Sequence, residues 1–264
     1  MGTLVQQLEK MISEVRWPSE HRTTMDCRRA YESGLDAVNM YRGDPNIFVE
    51  ALKIFQSSRS CPYAYAGIAY TLAMAAATEK AKKYGLQRAM EWLEKSQKQE
   101  PDRPEINFIE VAIYLNQGQL ENARLVLDHL SQQDPHNYFV CLAEVDYWRE
   151  LKDDDQYHHW LRQAKTGATS PSRQAFLLNS LANFYFDKKL YAKSINVYQR
   201  VAEIDPQDPW LWHNMSVMYV RLDRFKEADQ CNKRALSLMD FGAAREIEQV
   251  IKQNRGGLSR LFGL

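Results

Sequence analysis

"PQDPWLWHNMSVMYVRLDRFKEADQCNKRAL" spans Pro206 to Leu236. Shifted back by 34 residues, its pattern recurs. Leu178, Leu181, Ala182 and Tyr185 fall on Trp212, Met215, Ser216 and Tyr219, Ser194 and Tyr198 fall on Ala228 and Asn232, and Ala202 and Ala235 follow one residue out of step. Pro101 and Pro135 are also 34 residues apart. A fixed period of this length marks repeated supersecondary units stacked on one another, because no unit of that size buries its apolar face alone.

The same scheme runs upstream. From Pro104 it is carried by Val111, Tyr114, Ala123, Leu127 and Pro135, and from Tyr138 by Val145, Trp148, Tyr157, Leu161 and Ala164. The stretch from Cys61 to Pro101 fits if about ten residues are inserted between its two helices; Gly67 and Tyr70 then serve the first helix and Ala89 and Leu93 the second. Residues 30–55 fit loosely, through Tyr41, Ala51 and Phe55. The spacings have a packing reason. Gly67, Ala182 and Ser216 are small where two helices of a unit touch, and Ala123, Ser194 and Ala228 answer from the second helix. Tyr and Leu recurring at helical intervals fill the space around them. Pro135 and Pro206 stop the second helix and stiffen the turn to the next unit.

This pattern resembles the tetratricopeptide repeat, a 34-residue helix-turn-helix with Trp/Leu, a small residue, Tyr, Ala, Phe/Tyr, Ala and Pro at those offsets. The resemblance is closest over residues 175–240. It implies an all-α fold, a right-handed superhelical solenoid of about five to six such repeats with terminal capping helices. The expected division is an N-terminal capping helix and linker over 1–26, two divergent hairpins over 27–103, four repeats over 104–240, a C-terminal capping helix over 241–255 and a flexible tail over 256–264. In the first cap Leu4, Leu8, Met11, Ile12 and Val15 form one stripe, and in the last Ala244, Ile247, Val250 and Ile251 face inward. Gly256 and Gly257 are read as a hinge before the tail.

Composition narrows the function. The chain has 264 residues, 45% apolar and 26% charged, and 34 basic residues balance 34 acidic ones. Nothing in that balance draws it to nucleic acid or an anionic membrane. Cys27, Cys61, Cys141 and Cys231 are scattered without a Cys-x-x-Cys pair, which argues against a disulfide framework or a cysteine zinc site and for a reducing, cytoplasmic setting. The start carries Glu9, Lys10, Glu14 and Arg16 where a signal peptide has an apolar stretch, and Gln6 stands where a myristoylation motif has Ser or Thr. The apolar run from Ala64 to Ala77 is too short for the roughly 20 residues of a membrane span.

The most enzyme-like string is "KDDDQYHHW" at 152–160, where Asp154 and His158, or Asp155 and His159, lie one helical turn apart as two metal ligands would. Acidic residues at the start of a helix are better read as caps, and no third ligand is visible. Phosphate loops and a Gly-x-Ser-x-Gly elbow are absent from the sequence. We therefore expect no enzyme, no metal and no cofactor.

What the resemblance implies instead is a concave groove, lined by the first helix of each unit, that holds a partner protein's extended peptide or helix. Carried onto this chain, the groove residues are Phe139, Phe176, Asn179, Asn183, Phe186, Trp210, His213, Asn214 and Arg221. One subclass of the family grips the terminal carboxylate of heat-shock chaperones with two asparagines and three basic residues. Asn183 and Asn214 match the asparagines, but Asn179, Ala244 and Glu248 stand at the basic positions, with Arg245 one residue out of register. A carboxylate would lack its charge-assisted bonds there. The expected role is a non-catalytic protein-interaction scaffold; the alternative is a self-assembling adaptor that forms homo-oligomers through its convex face or end helices.

Overall fold

The computed structural model describes residues 3–17, 24–41, 44–58, 60–80 and 82–262, with Thr24 and residues 255–262 described by backbone alone. Among these residues there are fourteen α-helices and no strand. They are α1 (Leu4–Ser13), α2 (Thr24–Asn39), α3 (Asn46–Gln56), α4 (Pro62–Ala77), α5 (Lys83–Gln97), α6 (Pro104–Gln117) and α7 (Leu120–Gln133). Then follow α8 (Tyr138–Glu150), α9 (Asp154–Gly167), α10 (Pro171–Asp187), α11 (Tyr191–Ile204), α12 (Pro209–Arg221), α13 (Phe225–Leu238) and α14 (Gly242–Phe262). The all-α array of hairpins implied by the spacing is the fold of this chain. Consecutive helices from α2/α3 to α12/α13 pair as six hairpins. The chain divides into two compact units, residues 1–169 and 170–264.

The hairpins share two local devices. Where the helices cross, the small residues have no exposure: Ala123, Ala182, Ser194, Ser216 and Ala228. Ser194 Oγ donates to the Ala182 carbonyl at 2.7 Å, and one unit later Ser216 Oγ donates to the Ala228 carbonyl at 2.8 Å. The serine has changed helices while the serine–alanine contact is kept. Each of four hairpin turns also contains one residue in the left-handed region: Gly118, Lys152, Lys189 and Asp223, with φ between 56° and 76°. The next amide donates back to a ring-bearing residue of the first helix: Gln119 to Tyr114, Asp153 to Trp148, Leu190 to Tyr185 and Arg224 to Tyr219. This six-to-one bond, with a left-handed residue just before it, ends the helix and reverses the chain.

In unit 1, successive first helices lie directly on one another: α2 on α4, α4 on α6, and α6 on α8. Aromatic rings fill that face. Phe108 stacks on Phe139 with centroids 5.0 Å apart, Tyr70 meets Phe108 at 5.5 Å, and Tyr31 touches both Tyr63 at 5.4 Å and Phe139 at 6.5 Å. α4 is rich in alanine, and where α3 meets it a Cβ at Gly67 would stand 2.2 Å from the Phe55 ring. Between α7 and α8 the unit also buries a charge. Glu144, 1% exposed, accepts from both Arg124 guanidinium nitrogens at 3.0 and 2.8 Å and from Trp148 Nε1 at 2.9 Å.

The ends depart from the sequence reading in detail. α1 starts with a reciprocal cap, Thr3 Oγ1 accepting from Gln6 N and Gln6 Oε1 from Thr3 N, and it packs on α4 and α3. Its fully buried residues are Val5 and Leu8, so its inner face is turned slightly from the expected Leu4–Val15 stripe. Five residues, 78–82, link α4 and α5, against two or three in the hairpins from α6 onward, and the two helices run to 16 and 15 residues. α14 buries Ala244 and Ile251, with Ile247 and Val250 half-buried, on α13 and α12. Its backbone stays helical through Gly256 and Gly257 to Phe262, past the expected stop at 255. The last two residues of the expected tail lie outside the described residues.

Candidate peptide-binding site

Unit 2 fixes its two first helices at their N-termini. Ser170 Oγ accepts from Arg173 N at 3.2 Å ahead of Pro171, and Asp208 Oδ1 accepts from Trp210 N at 2.8 Å ahead of Pro209. A capping side chain and a proline at the first helical position set where each helix begins and therefore which residues share a face. The second helix of the first hairpin, α11, packs on both α10 and α12 and brings Tyr198 to them. A hollow of about 120 Å³ opens there, lined by Asn183 and Phe186 of α10, Tyr198 of α11, and Asn214, Val217 and Met218 of α12. The Tyr198 ring is buried, and its hydroxyl is shared. It donates to Asn183 Oδ1 at 2.7 Å and accepts from Asn214 Nδ2 at 3.2 Å.

Of the nine residues expected in a groove, Asn183, Phe186 and Asn214 come together in this hollow. Phe176 is half-buried and Arg221 exposed, and neither lines it. Phe139 is a correction: it is 5% exposed and sandwiched in the aromatic face of unit 1, so it offers nothing to a partner. Asn179 is another, at 2% exposure, with Nδ2 donating to the Ala175 carbonyl one turn back at 2.9 Å. Trp210 and His213 form a separate cluster. Both rings pack on Phe241, just before α14, at 4.3 and 5.4 Å, so the chain itself covers much of what helical position marks as groove. Burial holds the His213 pKa below its ordinary value, against a smaller opposing pull from Glu246.

Sequence reasoning missed Tyr198 as a site residue, having read it as packing from the second helix. Both readings hold, since its ring fills the hairpin while its hydroxyl reaches the first helices. The only signal was a polar-tipped ring where the next unit has Asn232, whose Nδ2 donates to the Ala244 carbonyl at 3.0 Å. Each side chain reaches from a second helix to the helix that follows it, Tyr198 to α12 and Asn232 to α14.

The other candidates resolve locally. Asp153 caps α9 by accepting from Gln156 N at 3.0 Å, and His158 Nδ1 donates to the Asp154 carbonyl at 2.7 Å. Among the described residues no three His, Cys, Asp or Glu side chains gather as ligands of one ion. No helix among them is long and apolar enough to cross a membrane. Arg245, the cation nearest the register of a carboxylate clamp, is engaged by Asp240 at 2.8 Å and by Glu248 at 3.3 Å.

Comparison with known proteins agrees with this architecture. Residues 177–208, which hold most of α10 and all of α11, match the tetratricopeptide repeat family. The hairpin of α10 and α11 is thus similar to a tetratricopeptide repeat. Such repeats commonly form protein–protein interaction scaffolds and are generally non-catalytic. RNA polymerase II-associated protein 3 of Homo sapiens is similar to this chain, 28% identical over 141 residues, which is 48% of this chain and 21% of that relative's length. Among solved structures, the Cut9–Hcn1 hetero-tetramer of the APC/C contains a chain that superposes with a TM-score of 0.54 at 14% identity, over 94% of this chain and 52% of its own. PilF of Pseudomonas aeruginosa superposes with a TM-score of 0.53 at 13% identity, over 76% of this chain and 94% of its own. At these identities the two structures speak for the fold alone.

Proposed function

We propose that this protein is a non-catalytic interaction scaffold acting in a reducing cytoplasm, and that unit 2 holds a segment of another protein against α10 and α12. The observation that carries this reading is the hollow itself, where two asparagine amides and an apolar wall of Phe186, Val217 and Met218 meet on a repeat fold. Apolar contact supplies affinity and the amides supply register, which is how peptide sites divide the work. The compartment rests on four cysteines that are buried free thiols.

The test is affinity capture with the parent protein, Asn183→Ala, Phe186→Ala and the exposed control Lys226→Ala, followed by light scattering of each. Proteins retained by the parent and Lys226→Ala but lost by the two hollow variants support the reading. Equal retention by all four would sink it, and a homo-oligomer in the scattering data would move self-assembly ahead. Trp210→Ala is a poor probe of the groove, because its ring also supports Phe241 and α14.

A further inference from the structure

The two asparagines of the hollow are not equivalent, and Tyr198 makes them so. A phenol hydroxyl has one proton to give. It gives that proton to Asn183 and receives one from Asn214. Each side-chain amide carries its oxygen and nitrogen on one carbon, so committing one end to Tyr198 turns the other end away from it. Asn183 is left presenting N–H donors and Asn214 a carbonyl acceptor, both a short step from the same phenol oxygen. Reversing both amides together would exchange the roles and keep one donor beside one acceptor.

We infer that Tyr198 is a positioning residue that sets this donor–acceptor pair to read one stretch of extended backbone in a partner protein. The inference rests on the peptide-binding reading of the same hollow. An extended residue offers an N–H and a C=O to one side, as in a hydrogen-bonded antiparallel strand pair. Inside a helix those groups are already spent on the residues four along the chain. The bound segment is therefore extended rather than helical. Its backbone carbonyl accepts from Asn183 Nδ2 and its N–H donates to Asn214 Oδ1. A neighbouring apolar side chain enters the space beside Phe186, Val217 and Met218. The volume suits this, since an apolar cavity of roughly 150 Å³ accepts benzene. The site is neutral: the polar groups lining it are two amides and a phenol. That fits a mid-chain peptide group better than a terminal carboxylate, which calls for charged donors.

The test uses two small probes with the full chain. N-acetyl-leucine N-methylamide supplies a carbonyl, an N–H and an aliphatic side chain; N-acetyl-leucine methyl ester lacks only the C-terminal N–H. Both are titrated into isotopically labelled parent protein while the side-chain amide signals of Asn183 and Asn214 are followed by NMR. The parent is expected to bind the amide about fivefold more tightly than the ester, the worth of one net hydrogen bond. Tyr198→Phe keeps the buried ring and loses the hydroxyl, so its preference for the amide should fall to about one, a change that loss of packing alone would not produce. Should Tyr198→Phe melt early, exposed Asn183→Asp takes its place: it still accepts from Tyr198 but has no outward donor, and both probes should weaken together. Undiminished amide preference in Tyr198→Phe, or undiminished binding in Asn183→Asp, overturns the role of Tyr198 and leaves the site. Failure of the parent to bind either probe, or stronger binding of N-acetyl-leucine with its free carboxylate, overturns the peptide-backbone reading and the positioning role with it.

Discussion

Phe139 in unit 1 and Phe176 in unit 2 stand at the same place in their repeats, nine residues before Trp148 and Tyr185, whose carbonyls close the hairpin turns. Phe139 is stacked between Phe108 and Tyr31 and almost wholly buried, while Phe176 keeps part of its ring in solvent. The repeat register assigns a residue to a face. It does not say whether that face is open. In unit 1 the alanine-rich α4 lets first helices approach until their own rings close the inner surface. In unit 2 Tyr198 reaches between α10 and α12, and a hollow remains. One unit has spent its groove aromatics on folding, and the other leaves Phe176 and Phe186 only half-buried.

The largest expected effect tests that contrast directly. Phe139→Ala removes a buried ring and should cost about 3–5 kcal/mol. Phe176→Ala at the equivalent position should cost about 1 kcal/mol, in keeping with partial burial. Urea unfolding of both variants measures the pair, and equal losses would erase the distinction between the units. The charge buried only in unit 1 sharpens it further. Arg124→Leu strands the Glu144 carboxylate, leaving it Trp148 and Ser131 as donors, and should cost about 3 kcal/mol in the same experiment.

A crossing position should behave alike wherever it occurs. Ala182→Leu and Ala123→Leu each force a larger side chain into a helix crossing with no free space, at about 1–3 kcal/mol apiece. If only one of them lowers the thermal midpoint, the two units do not share the crossing geometry that their common spacing implies.

The fold was legible because it depends on periodic packing, and packing leaves its record in residue size. Ala182, Ser194, Ser216 and Ala228 stand at the helix crossings, as their spacing implied. The candidate site was legible only in part. Helical position alone placed Asn179 in the groove, yet the chain turns it inward to bond Ala175. Phe139 was hidden by rings from two other helices, α2 and α6, a tertiary fact with no local signal. Tyr198 went unnoticed because a residue whose ring packs and whose hydroxyl works looks, in sequence, like one that only packs. The buried Glu144–Arg124 pair was missed for a similar reason: its partners are 20 residues apart on different helices.

A smaller effect follows from His213, which has no counterpart in unit 1. Its folded pKa lies below the ordinary 6.5 because burial disfavours the imidazolium. The unfolded chain therefore binds the proton more readily, so this histidine's contribution to stability is complete above about pH 6.5 and is lost as pH falls toward the folded value. Thermal midpoints measured from pH 7.5 down to pH 5 should fall less steeply in His213→Gln than in the parent. Parallel slopes would show that His213 binds its proton equally readily in the folded and unfolded chain, and that burial does not disfavour its imidazolium.

The smallest expected effect concerns the hairpin turns, where one problem is solved in two ways. The α6–α7 turn of unit 1 uses Gly118, with φ of 76°, whereas Lys152 in unit 1 and Lys189 and Asp223 in unit 2 hold the same left-handed region with a side chain. An L-residue pays roughly 1–2 kcal/mol for that conformation, which glycine avoids. Against this, glycine loses more freedom on folding, by about 0.4–1 kcal/mol. The difference favours glycine slightly, so Lys189→Gly should stabilise by about 0.5 kcal/mol. Gly118→Ala should destabilise by a similar amount, and its cause is purely conformational because a Cβ there meets no atom within 4 Å. Chemical denaturation with both variants in parallel reads the two signs. Opposite signs mean that the turns are interchangeable parts of one repeat design. A loss in Lys189→Gly would mean instead that the Lys189 side chain contributes something to unit 2 beyond its backbone angle.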